Sequence, residues 1–251
     1  MDKHTTDSAF SLTNKRILVT GASSGLGRAI AITLSHLGAN VICVGRDEIR
    51  LRDTYSKLME GQHSYIQADL TNENDRHNLV ESSGILNGIV HCAGISRLSP
   101  VRLISENHLD ELNRINVYAP ILLTMAILRK NKLKAEGSIL FIASIAAHIG
   151  VPGVAAYSGT KSAIIAMARC LAMEVVKKKI RVNCLSPALV ATPLLDATAK
   201  LIGTLEAEKM NYPLGFGRPE DVAYASAFFM ADASRWITGS DLIMDGGLTV
   251  N

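Results

Sequence analysis

The chain has 251 residues, of which 48% are hydrophobic, 20% charged and 5% aromatic, and its net charge is +3. This much aliphatic material collapses into a core, which excludes disorder as the main state. The basic excess is too weak, and the aromatic content too low, to indicate nucleic-acid binding. A composition rich in Ala, Ile, Leu and Gly favours buried parallel strands packed against helices over a β-sandwich.

The sequence also predicts the compartment and the state of the cysteines. Residues 1–16 lack the apolar core of a signal peptide, and no run of about 18 apolar residues could span a membrane, so we expect a cytoplasmic protein. Wide spacing without a Cys-x-x-Cys pair predicts buried, reduced thiols at Cys43, Cys92, Cys170 and Cys184. No group of His, Cys, Asp and Glu has metal-ligand spacing, and we expect no metal.

In chain order, short β-branched runs alternate with segments of helical periodicity. The runs predict strands at Arg16–Thr20, Val41–Gly45, Ser64–Asp69, Gly88–Cys92, Ser138–Ala143, Arg181–Leu185 and Asp241–Met244. The helical patterns occupy Gly25–Leu37, Asp47 to about Glu60, Glu106 to about Asn131, and Tyr157–Lys177. Because each strand is apolar on both faces, we expect a seven-stranded parallel sheet covered by helices on both sides, with right-handed crossovers.

One α/β domain with a doubly wound, Rossmann-like fold accounts for residues 14–251, after an N-terminal tail of residues 1–13. The segment of about residues 186–219 is irregular, contains several Pro and Gly, and follows a late strand. Open α/β sheets bind ligands beyond such strand ends, so we expect this segment to form a lid over the substrate. Its apolar residues suit acyl or alicyclic groups and include Leu194, Leu195, Leu201 and Ile202.

A glycine-rich loop, Thr20 to Gly27, joins the first strand to the first helix and reads T-G-A-S-S-G-L-G. Its glycines allow a tight turn and close backbone approach, and the helix N-terminus offers free N–H groups to a phosphate. The spacing is G-x-x-x-G-x-G, which is neither the G-x-G-x-x-G fingerprint nor a P-loop. An ordinary glycine-rich turn is the alternative, but the place after the first strand of an alternating pattern favours a dinucleotide.

The end of the second strand distinguishes the two nicotinamide dinucleotides. An NAD site places an acid there for the ribose hydroxyls, whereas this strand ends in Val44-Gly45-Arg46. A guanidinium suits a 2′-phosphate and can stack on adenine, so the sequence favours NADP(H) over NAD(H). A solvent-facing arginine at a helix start is the alternative. The missing acid also argues against a methyltransferase that uses S-adenosylmethionine.

Tyr157 and Lys161 lie four residues apart in a helical pattern and therefore on one helix face. A fixed ammonium near a phenol favours the phenolate, and such a tyrosine can donate and accept protons near neutral pH. Chance produces this spacing often, so the pair alone is a weak signal and depends on the motifs around it.

Those motifs give the chain a resemblance to the short-chain dehydrogenase/reductase family. The family's order and spacing are matched, from about Asn14 to the C-terminus, by Gly21–Gly27, Asp69-Leu70, Ala93-Gly94, Asn116, Ser144, Tyr157 with Lys161, and Pro187–Thr192. Residues Pro213–Val222 and Asp245-Gly246-Gly247 resemble the 3-oxoacyl-[acyl-carrier-protein] reductase branch, which serves fatty acid biosynthesis.

The resemblance implies an enzyme that reduces a carbonyl to an alcohol, or the reverse, by hydride transfer from or to NADP(H). Tyr157 would be the general acid or base, and Lys161 would assist it and bind the nicotinamide ribose. Ser144 would hold the substrate oxygen, and Asn116 would position a water that links Lys161 to solvent. An alkoxide develops in such a reaction and needs a donor beside it, as these groups would provide.

The resemblance also implies a cofactor-binding set. Asp69 would contact adenine through its carboxylate and Leu70 through its backbone, while Val190 and Thr192 would hold the carboxamide. The full implied set is Gly21, Ser23, Ser24, Gly25, Leu26, Gly27, Arg46, Asp69, Leu70, Cys92, Ala93, Gly94, Tyr157, Lys161, Pro187, Val190 and Thr192.

For single residues, purely structural alternatives stay open. Ser144 could cap a strand end, Asn116 could be a helix-interior residue held by local hydrogen bonds, and Asp69 could be the N-cap of the next helix. His148, four residues after Ser144, either reaches the pocket mouth or has a surface or capping role.

Two short stretches depart from the family pattern. His91-Cys92-Ala93-Gly94 replaces the usual Asn-Asn-Ala-Gly, and we expect a buried neutral His91 bonded to the backbone. Pro187-Ala188 replaces the usual Pro-Gly. Because Ala tolerates less φ space than Gly, the family's backbone conformation at this position is in doubt for this chain.

Two lysine groups suggest a partner. Lys130, Lys132 and Lys134 lie at the end of one predicted helix, and Lys177–Lys179 lie at the end of another. Solvated helix ends are one interpretation, and a docking patch for an acidic acyl-carrier protein is the other. The apolar stretches Ile115–Leu128 and Ala163–Ala172, together with the resemblance, predict a homotetramer.

Two other functions compete with the reductase. A non-catalytic dinucleotide-binding sensor or scaffold would share the fold, but the complete Ser144, Tyr157, Lys161 and Asn116 set argues against it. A nucleotide-sugar epimerase or dehydratase would share the loop and the Tyr–Lys pair, but it needs additional C-terminal residues. We expect none, because the chain ends at Asn251, soon after the last predicted strand.

Overall fold

A computed structural model of the chain describes residues 9–192 and 209–250. Seven parallel strands form one sheet in the order β3-β2-β1-β4-β5-β6-β7. The strands are β1 Arg16–Thr20, β2 Asn40–Gly45, β3 Ser64–Gln67, β4 Leu86–His91, β5 Leu133–Ile142, β6 Arg181–Pro187 and β7 Asp241–Met244. The strand order changes direction between β1 and β4, and doubly wound sheets bind ligands at this crevice. The structure confirms the predicted fold class.

Helices cover both faces of the sheet. They are α1 Gly25–His36, α2 Glu48–Tyr55, α3 Glu73–Ser82, α4 Glu106–Asn113, α5 Ala119–Arg129, α6 Ala155–Val175 and α7 Pro219–Met230. One core cluster packs α3, α5 and α6 against the sheet, and the other packs α1, α2 and α7 on its opposite face. Successive residues of β1 alternate between the two clusters, because side chains alternate across a strand: Leu18 joins the first, and Ile17 and Val19 join the second.

The predicted helix from Glu106 to Asn131 is wrong as a single α-helix. A π-helical turn, Arg114–Tyr118, separates α4 from α5. Such a turn adds one residue to a helical turn and is often found at functional sites. Here it carries Asn116, one of the predicted catalytic residues.

Several predicted bounds are also wrong. β5 begins at Leu133 rather than Ser138, because its first residues include the exposed Lys134 and Glu136, which hide the strand pattern. β3 ends at Gln67, before Asp69, and β4 ends at His91, before Cys92. Helix α2 ends at Tyr55, well before Glu60. Helix α3 was not predicted, because only Leu79 and Val80 are buried on a mostly polar helix.

Other predictions have mixed outcomes. Cys43 and Cys184 are buried free thiols, but Cys170 is exposed on α6 and Cys92 is partly exposed, so burial was wrongly predicted for these two. No helix within the described residues is long and apolar enough to cross a membrane, and the cytoplasmic location stays a prediction. The bounds of the tail and of the lid also stay predictions. Leu12, which was placed in the tail, is buried. The apolar residues predicted for the lid, Leu194, Leu195, Leu201 and Ile202, lie outside the described residues.

Candidate active site

One continuous cavity of about 1100 Å³ extends along the carboxyl edge of the sheet, from the end of β2 to the start of α6. Its wall contains every residue of the predicted cofactor-binding set, together with Ser144. Asn116 does not line it and lies behind Lys161, on a second, much smaller cavity. The fold therefore brings the sequence-predicted residues together around one cleft.

The glycine loop after β1 packs tightly against the loop after β4. Thr20 Oγ1 accepts hydrogen bonds from the backbone N–H groups of Cys92 and Ala93, at 3.0 and 3.1 Å. Gly21 has a φ of +69°, and a Cβ there would lie 2.9 Å from Ala93 Cα. A Cβ on Gly27 would lie 2.3 Å from the Gly21 carbonyl oxygen. Only glycine fits at these two positions without a shift of the neighbouring backbone.

Helix α1 presents an uncapped N-terminus to this cleft. Its N-cap residue, Ser24, makes no side-chain hydrogen bond, and no acidic residue occupies the first turn. The following helices α2, α3 and α4 are instead capped by the side chains of Asp47, Asn72 and Ser105. Free N–H groups and the positive end of a helix dipole suit a phosphate. The loop and this helix start therefore fit the pyrophosphate of a dinucleotide.

Two arginines line the far end of the cavity, beyond β2. Arg46 makes no ion pair within 4.0 Å among the described residues, whereas Arg50 lies 3.2 Å from Asp47 Oδ2. Burial raises the pKa of Asp69, but hydrogen bonds from the Thr71 N–H and hydroxyl and the nearby Arg46 charge outweigh it, so the pKa is lowered. Arg50 was not predicted, because its place on the cavity wall depends on how α2 starts.

The alternative that Asp69 is the N-cap of the next helix is wrong. Its Oδ1 accepts from Thr71, two residues on, and α3 is capped by Asn72. This short turn holds the Asp69 carboxylate on the cavity wall, beside Leu70. An ionised carboxylate there can accept hydrogen bonds from an adenine amino group.

Tyr157 and Lys161 occupy the opposite end of the cavity, in the first two turns of α6. Lys161 Nζ lies 5.7 Å from the centroid of the Tyr157 ring. The ammonium donates to the Ile142 carbonyl at 2.8 Å, and the side chain is 7% exposed. This bond fixes the charge beside the phenol, as the four-residue spacing predicted.

Ser144 follows β5 and faces the same end of the cavity. Its Oγ accepts a hydrogen bond from the Ala146 N–H at 3.2 Å, so the capping alternative is correct for this residue. Accepting through a lone pair leaves the hydroxyl proton available to donate. Ser144 can therefore cap its turn and hold a substrate oxygen at once.

Asn116 joins two loops from its place in the π-helical turn. Its Oδ1 accepts from the Ile95 N–H at 2.9 Å, and its Nδ2 donates to the Ile95 carbonyl at 2.9 Å and to Thr160 Oγ1 at 3.1 Å. These partners are distant in sequence, so the structural alternative that local hydrogen bonds hold Asn116 is wrong. Asn116 therefore connects the loop after β4 to α6, which it contacts at Thr160, the residue before Lys161.

His91 and Cys92, which replace the family's two asparagines, are both uncharged. Burial lowers the pKa of His91 to about 3, and its Nε2 lies 2.8 Å from Thr124 Oγ1. The histidine is buried and neutral, as predicted, but its partner is a side-chain hydroxyl rather than the backbone. Burial raises the pKa of the Cys92 thiol to about 12, against an opposing effect of the Lys161 charge.

His148 does not line the cavity. Its Nε2 lies 2.7 Å from Asp241 Oδ2 and 3.2 Å from Ser186 Oγ, which itself donates to Asp241. The residue therefore ties the loop after β5 to β6 and β7. Within the described residues, no three His, Cys, Asp or Glu side chains are grouped to hold a metal ion.

The segment after β6 completes the wall. Ala188 has no positive φ, and its N–H donates to the Met244 carbonyl at 2.9 Å, so the replaced glycine is not needed here. Val190 pairs with Gly217 in a short bridge beside the cavity. The sequence did not identify several apolar wall residues, because loops that are distant in the chain bring them together: Ile95, Leu98, Ile149, Val151, Tyr212 and Leu248.

Comparisons with known proteins agree with this geometry. A short-chain dehydrogenase/reductase family model, described as enoyl-(acyl carrier protein) reductase, matches residues 21–249. A 3-oxoacyl-[acyl-carrier-protein] reductase of Rickettsia prowazekii is 34% identical over 94% of this chain and 98% of its own length. An NAD-dependent glycerol dehydrogenase of Listeria innocua is 33% identical over 97% of both chains.

A solved structure extends the likeness to the cofactor-bound fold. It is a proposed NAD(P)-dependent gluconate 5-dehydrogenase from Beutenbergia cavernae, with NADP bound at low occupancy. Its sequence is 28% identical to this one, the TM-score is 0.86, and the match covers 97% of this chain and 100% of that chain. The chain therefore belongs to the short-chain dehydrogenase/reductase family.

Proposed function

We propose that the protein is an NADP(H)-dependent oxidoreductase that reduces a carbonyl to an alcohol, or catalyses the reverse reaction, with Tyr157 as general acid or base. The observation that carries the proposal is the continuous cavity along the carboxyl edge of the sheet. At one end it has Arg46, Arg50 and Asp69, and at the other Ser144 and Tyr157, with Lys161 beside the phenol. This arrangement suits a dinucleotide that spans the cleft and ends beside a proton donor.

The chain's residues fit the dinucleotide along the length of this cleft. The uncapped start of α1 would hold the pyrophosphate, and Asp69 and Leu70 would hold the adenine. Pro187, Val190 and Thr192 line the end near Tyr157 and would hold the carboxamide. A bound nicotinamide would supply the hydride chemistry that the side chains cannot provide.

The proton chemistry belongs to Tyr157. In reduction, its phenol O–H would donate a proton to the substrate oxygen as negative charge develops there. Ser144 would donate a hydrogen bond to the same oxygen. The Lys161 ammonium, held by the Ile142 carbonyl, would stabilise the phenolate that the proton transfer leaves behind.

Arg46 supports the preference for NADP(H). Its arginine neighbours form ion pairs: Arg28 with Asp53, Arg50 with Asp47, and Arg52 with Glu48. Among the described residues, Arg46 has no such partner, and the acid next to it, Asp47, is paired with Arg50 and caps α2. An unpaired guanidinium on the cavity wall suits a 2′-phosphate.

The substrate end of the cavity favours an uncharged, largely apolar group next to the carbonyl. Apart from Lys161, the charged side chains described on the cavity wall all lie near the ends of β2 and β3. Residues Leu98, Ile149, Val151 and Leu248 give the other end apolar walls. A 3-oxoacyl thioester fits this chemistry, and so do alicyclic ketones.

The two lysine groups predicted as a carrier-docking patch meet in the fold. Lys178 Nζ donates to Asn131 Oδ1, at the end of the helix that Lys130 follows, across 3.0 Å. The patch lies about 30 Å from Tyr157, since 21 helical residues separate Tyr157 from Lys178 at about 1.5 Å each. An acyl-carrier protein docked at this patch could deliver its substrate to Tyr157 of the same copy only if the acyl group extended across that distance.

A homotetramer would bring the lysine patch of one copy close to the active site of another copy. Helices α5 and α6 carry exposed apolar side chains, among them Met125, Met167 and Met173. A two-fold axis near Met167, midway between Tyr157 and Lys178, would pair two α6 helices in antiparallel fashion. The lysines of one copy would then lie beside the Tyr157 of the other.

Measuring NADPH and NADH oxidation with 3-oxoacyl thioesters, ketosteroids, sugars and quinones tests the proposed function. We expect turnover of at least one apolar carbonyl compound, faster with NADPH than with NADH. The competing sensor or scaffold function predicts tight NADPH binding with no turnover of any compound, and that result would overturn the reductase.

A further inference from the structure

His91 closes β4 in the centre of the sheet, behind the catalytic end of the cleft. Its side chain is 4% exposed, and its ring stacks on Phe141 of β5, with centroids 4.8 Å apart and planes 10° apart. Strand pairing sets these two residues side by side, so the ring has little freedom to turn. The mechanism proposed above does not use this histidine.

The hydrogen bonds of Thr124 determine which ring nitrogen carries the proton. Thr124 Oγ1 donates its only hydrogen to the Pro120 carbonyl at 2.8 Å, so it can only accept from His91 Nε2, which lies 2.8 Å away. The proton is therefore on Nε2, and Nδ1 is a bare acceptor. Among the described residues, no group bonds to Nδ1, although it is buried. A buried polar atom of this kind is rarely left without a partner.

A small cavity adjoins the ring and leads to the catalytic lysine. His91, Asn116 and Lys161 line it together with apolar side chains, and it offers about 10 Å³ to the centre of a water molecule. One ordered water needs about that room and at least two polar partners. Lys161 Nζ uses one of its three protons on Ile142, and no other hydrogen bond of this ammonium occurs among the described residues.

We propose that one water molecule occupies this cavity, accepts a hydrogen bond from Lys161 Nζ and donates one to His91 Nδ1, so that His91 is a positioning residue for the ammonium. The amide protons of Asn116 are both committed, to Ile95 and Thr160, and only a lone pair of its Oδ1 remains for this water. His91 Nδ1 is therefore the acceptor that we assign to this water, in a cavity that Asn116 also lines. The inference rests on the proposed function of Lys161 and Tyr157.

This water favours the charged form of Lys161, because a hydrogen bond donated by an ammonium is stronger than one donated by a neutral amine. A firmly charged Lys161 in turn favours the Tyr157 phenolate. Besides Tyr157 and His91, the ionisable groups that interact with the Lys161 charge in the described part of the chain are the thiols of Cys92 and Cys184, and burial raises the pKa of each to about 12. They stay neutral through the pH range of an assay and cannot produce the effect described next.

The variant His91→Gln distinguishes the role of ring nitrogen Nδ1 from that of Nε2. The glutamine NH2 can donate to Thr124 in place of Nε2, whereas its acceptor, Oε1, lies one bond farther from the backbone than Nδ1 and does not take its place. In the alcohol oxidation direction, which needs the phenolate, we expect the pH of half-maximal kcat/KM to rise by about one unit. Thr124→Ser is the matched control, since it removes a buried methyl group and keeps both ring nitrogens paired as before. The pH dependence of kcat/KM should be unchanged in Thr124→Ser. An unchanged pH dependence in His91→Gln would overturn the proposal.

Two measurements on the unaltered protein keep the inference testable if the variant fails to fold. Imidazole ¹⁵N shifts should show the proton on Nε2, and a high-resolution crystal structure should show one water bonded to both Nδ1 and Lys161 Nζ. A proton on Nδ1 or a dry cavity would overturn the proposal. Failure of the proposed function is distinct, because it would show as turnover that persists in Tyr157→Phe, whatever occupies this cavity.

Discussion

The arginines around the end of β2 show how single residues set cofactor choice. Exposed charges of opposite sign form ion pairs along α2, whereas Arg46 lies on the cavity wall with no ion-pair partner among residues 9–192 and 209–250. The sequence could indicate this residue, because the end of the second strand is a fixed place in the fold. It could not indicate Arg50, whose approach to the cavity depends on the conformation of Asp47 as N-cap.

Arg46→Asp should reverse the preference between the two dinucleotides. Charge-assisted hydrogen bonds to a phosphate contribute about 1.5–3 kcal/mol, so we expect kcat/KM with NADPH to fall at least tenfold. The value with NADH should rise or hold, because an aspartate can bind ribose hydroxyls. Arg52→Asp changes the net charge equally from a place off the cavity wall and should leave the ratio unchanged. An unchanged ratio in both variants would show that Arg46 does not contact the phosphate.

The buried imidazole of His91 should also make stability depend on pH. Its pKa is about 3 in the folded protein, against an ordinary value of 6.5 when exposed. Between these values the unfolded state binds the extra proton, so the free energy of unfolding should fall by about 1.4 kcal/mol per pH unit below 6.5. His91→Gln does not titrate and should lack this slope. Urea unfolding at pH 7 and pH 5 compares the two proteins, and parallel slopes would contradict the assigned burial effect.

At the scale of elements, the sequence predicted all seven strands, but it missed the helices α3 and α7 and did not show how the ends of the elements meet. The core strands were found because their central residues are apolar on both faces, as in Arg16–Thr20. The π-helical turn at Asn116 has no signal in hydrophobic periodicity, because it inserts one residue into an otherwise regular pattern. The His148–Asp241 contact depends on register between β6 and β7, which sequence patterns do not fix.

His148 should hold the loop that follows Ser144. Its bond to Asp241 joins that loop to β7, and Ile149 and Val151 of the same loop line the substrate end of the cavity. His148→Leu should speed amide exchange in residues 145–154 about tenfold, since a hydrogen bond to a carboxylate contributes about 1.5–3 kcal/mol. It should also raise KM for the carbonyl substrate. His148→Gln keeps a donor for Asp241 and should change both quantities less, whereas equal effects would show that the contact does not position the loop.

For the whole molecule, the sheet order explains why distant segments converge on one cleft. Parallel strands bring the loops after β1 to β6 to one edge, and most of the family's motifs lie in those loops, whereas Asn116, Tyr157 and Lys161 lie on helical segments that follow them. Sequence reasoning succeeds there because strand ends are fixed by topology. It misses Tyr212 and Leu248, which reach the same cleft from the C-terminal part of the chain.

The lysine patch gives a prediction that belongs to the assembled molecule. We expect light scattering to show a tetramer, and charge reversal at Lys132 and Lys178 to lower turnover of a carrier-bound 3-oxoacyl thioester at least fivefold. Turnover of a small ketone should be unaffected, and added salt should reduce the difference by screening. Arg235→Glu, an exposed charge reversal elsewhere, is the control. Equal losses on both substrates would exclude carrier docking at this surface.

The comparison of Tyr157→Phe with the unaltered protein tests the central claim most directly. Phenylalanine keeps the ring and removes the O–H that the proposed proton transfer requires. We predict that kcat for carbonyl reduction with NADPH falls by about 10²–10⁴, the usual contribution of a general acid, while the Kd for NADPH stays within about twofold. A kcat near that of the unaltered protein would contradict the assignment of Tyr157 as the proton donor.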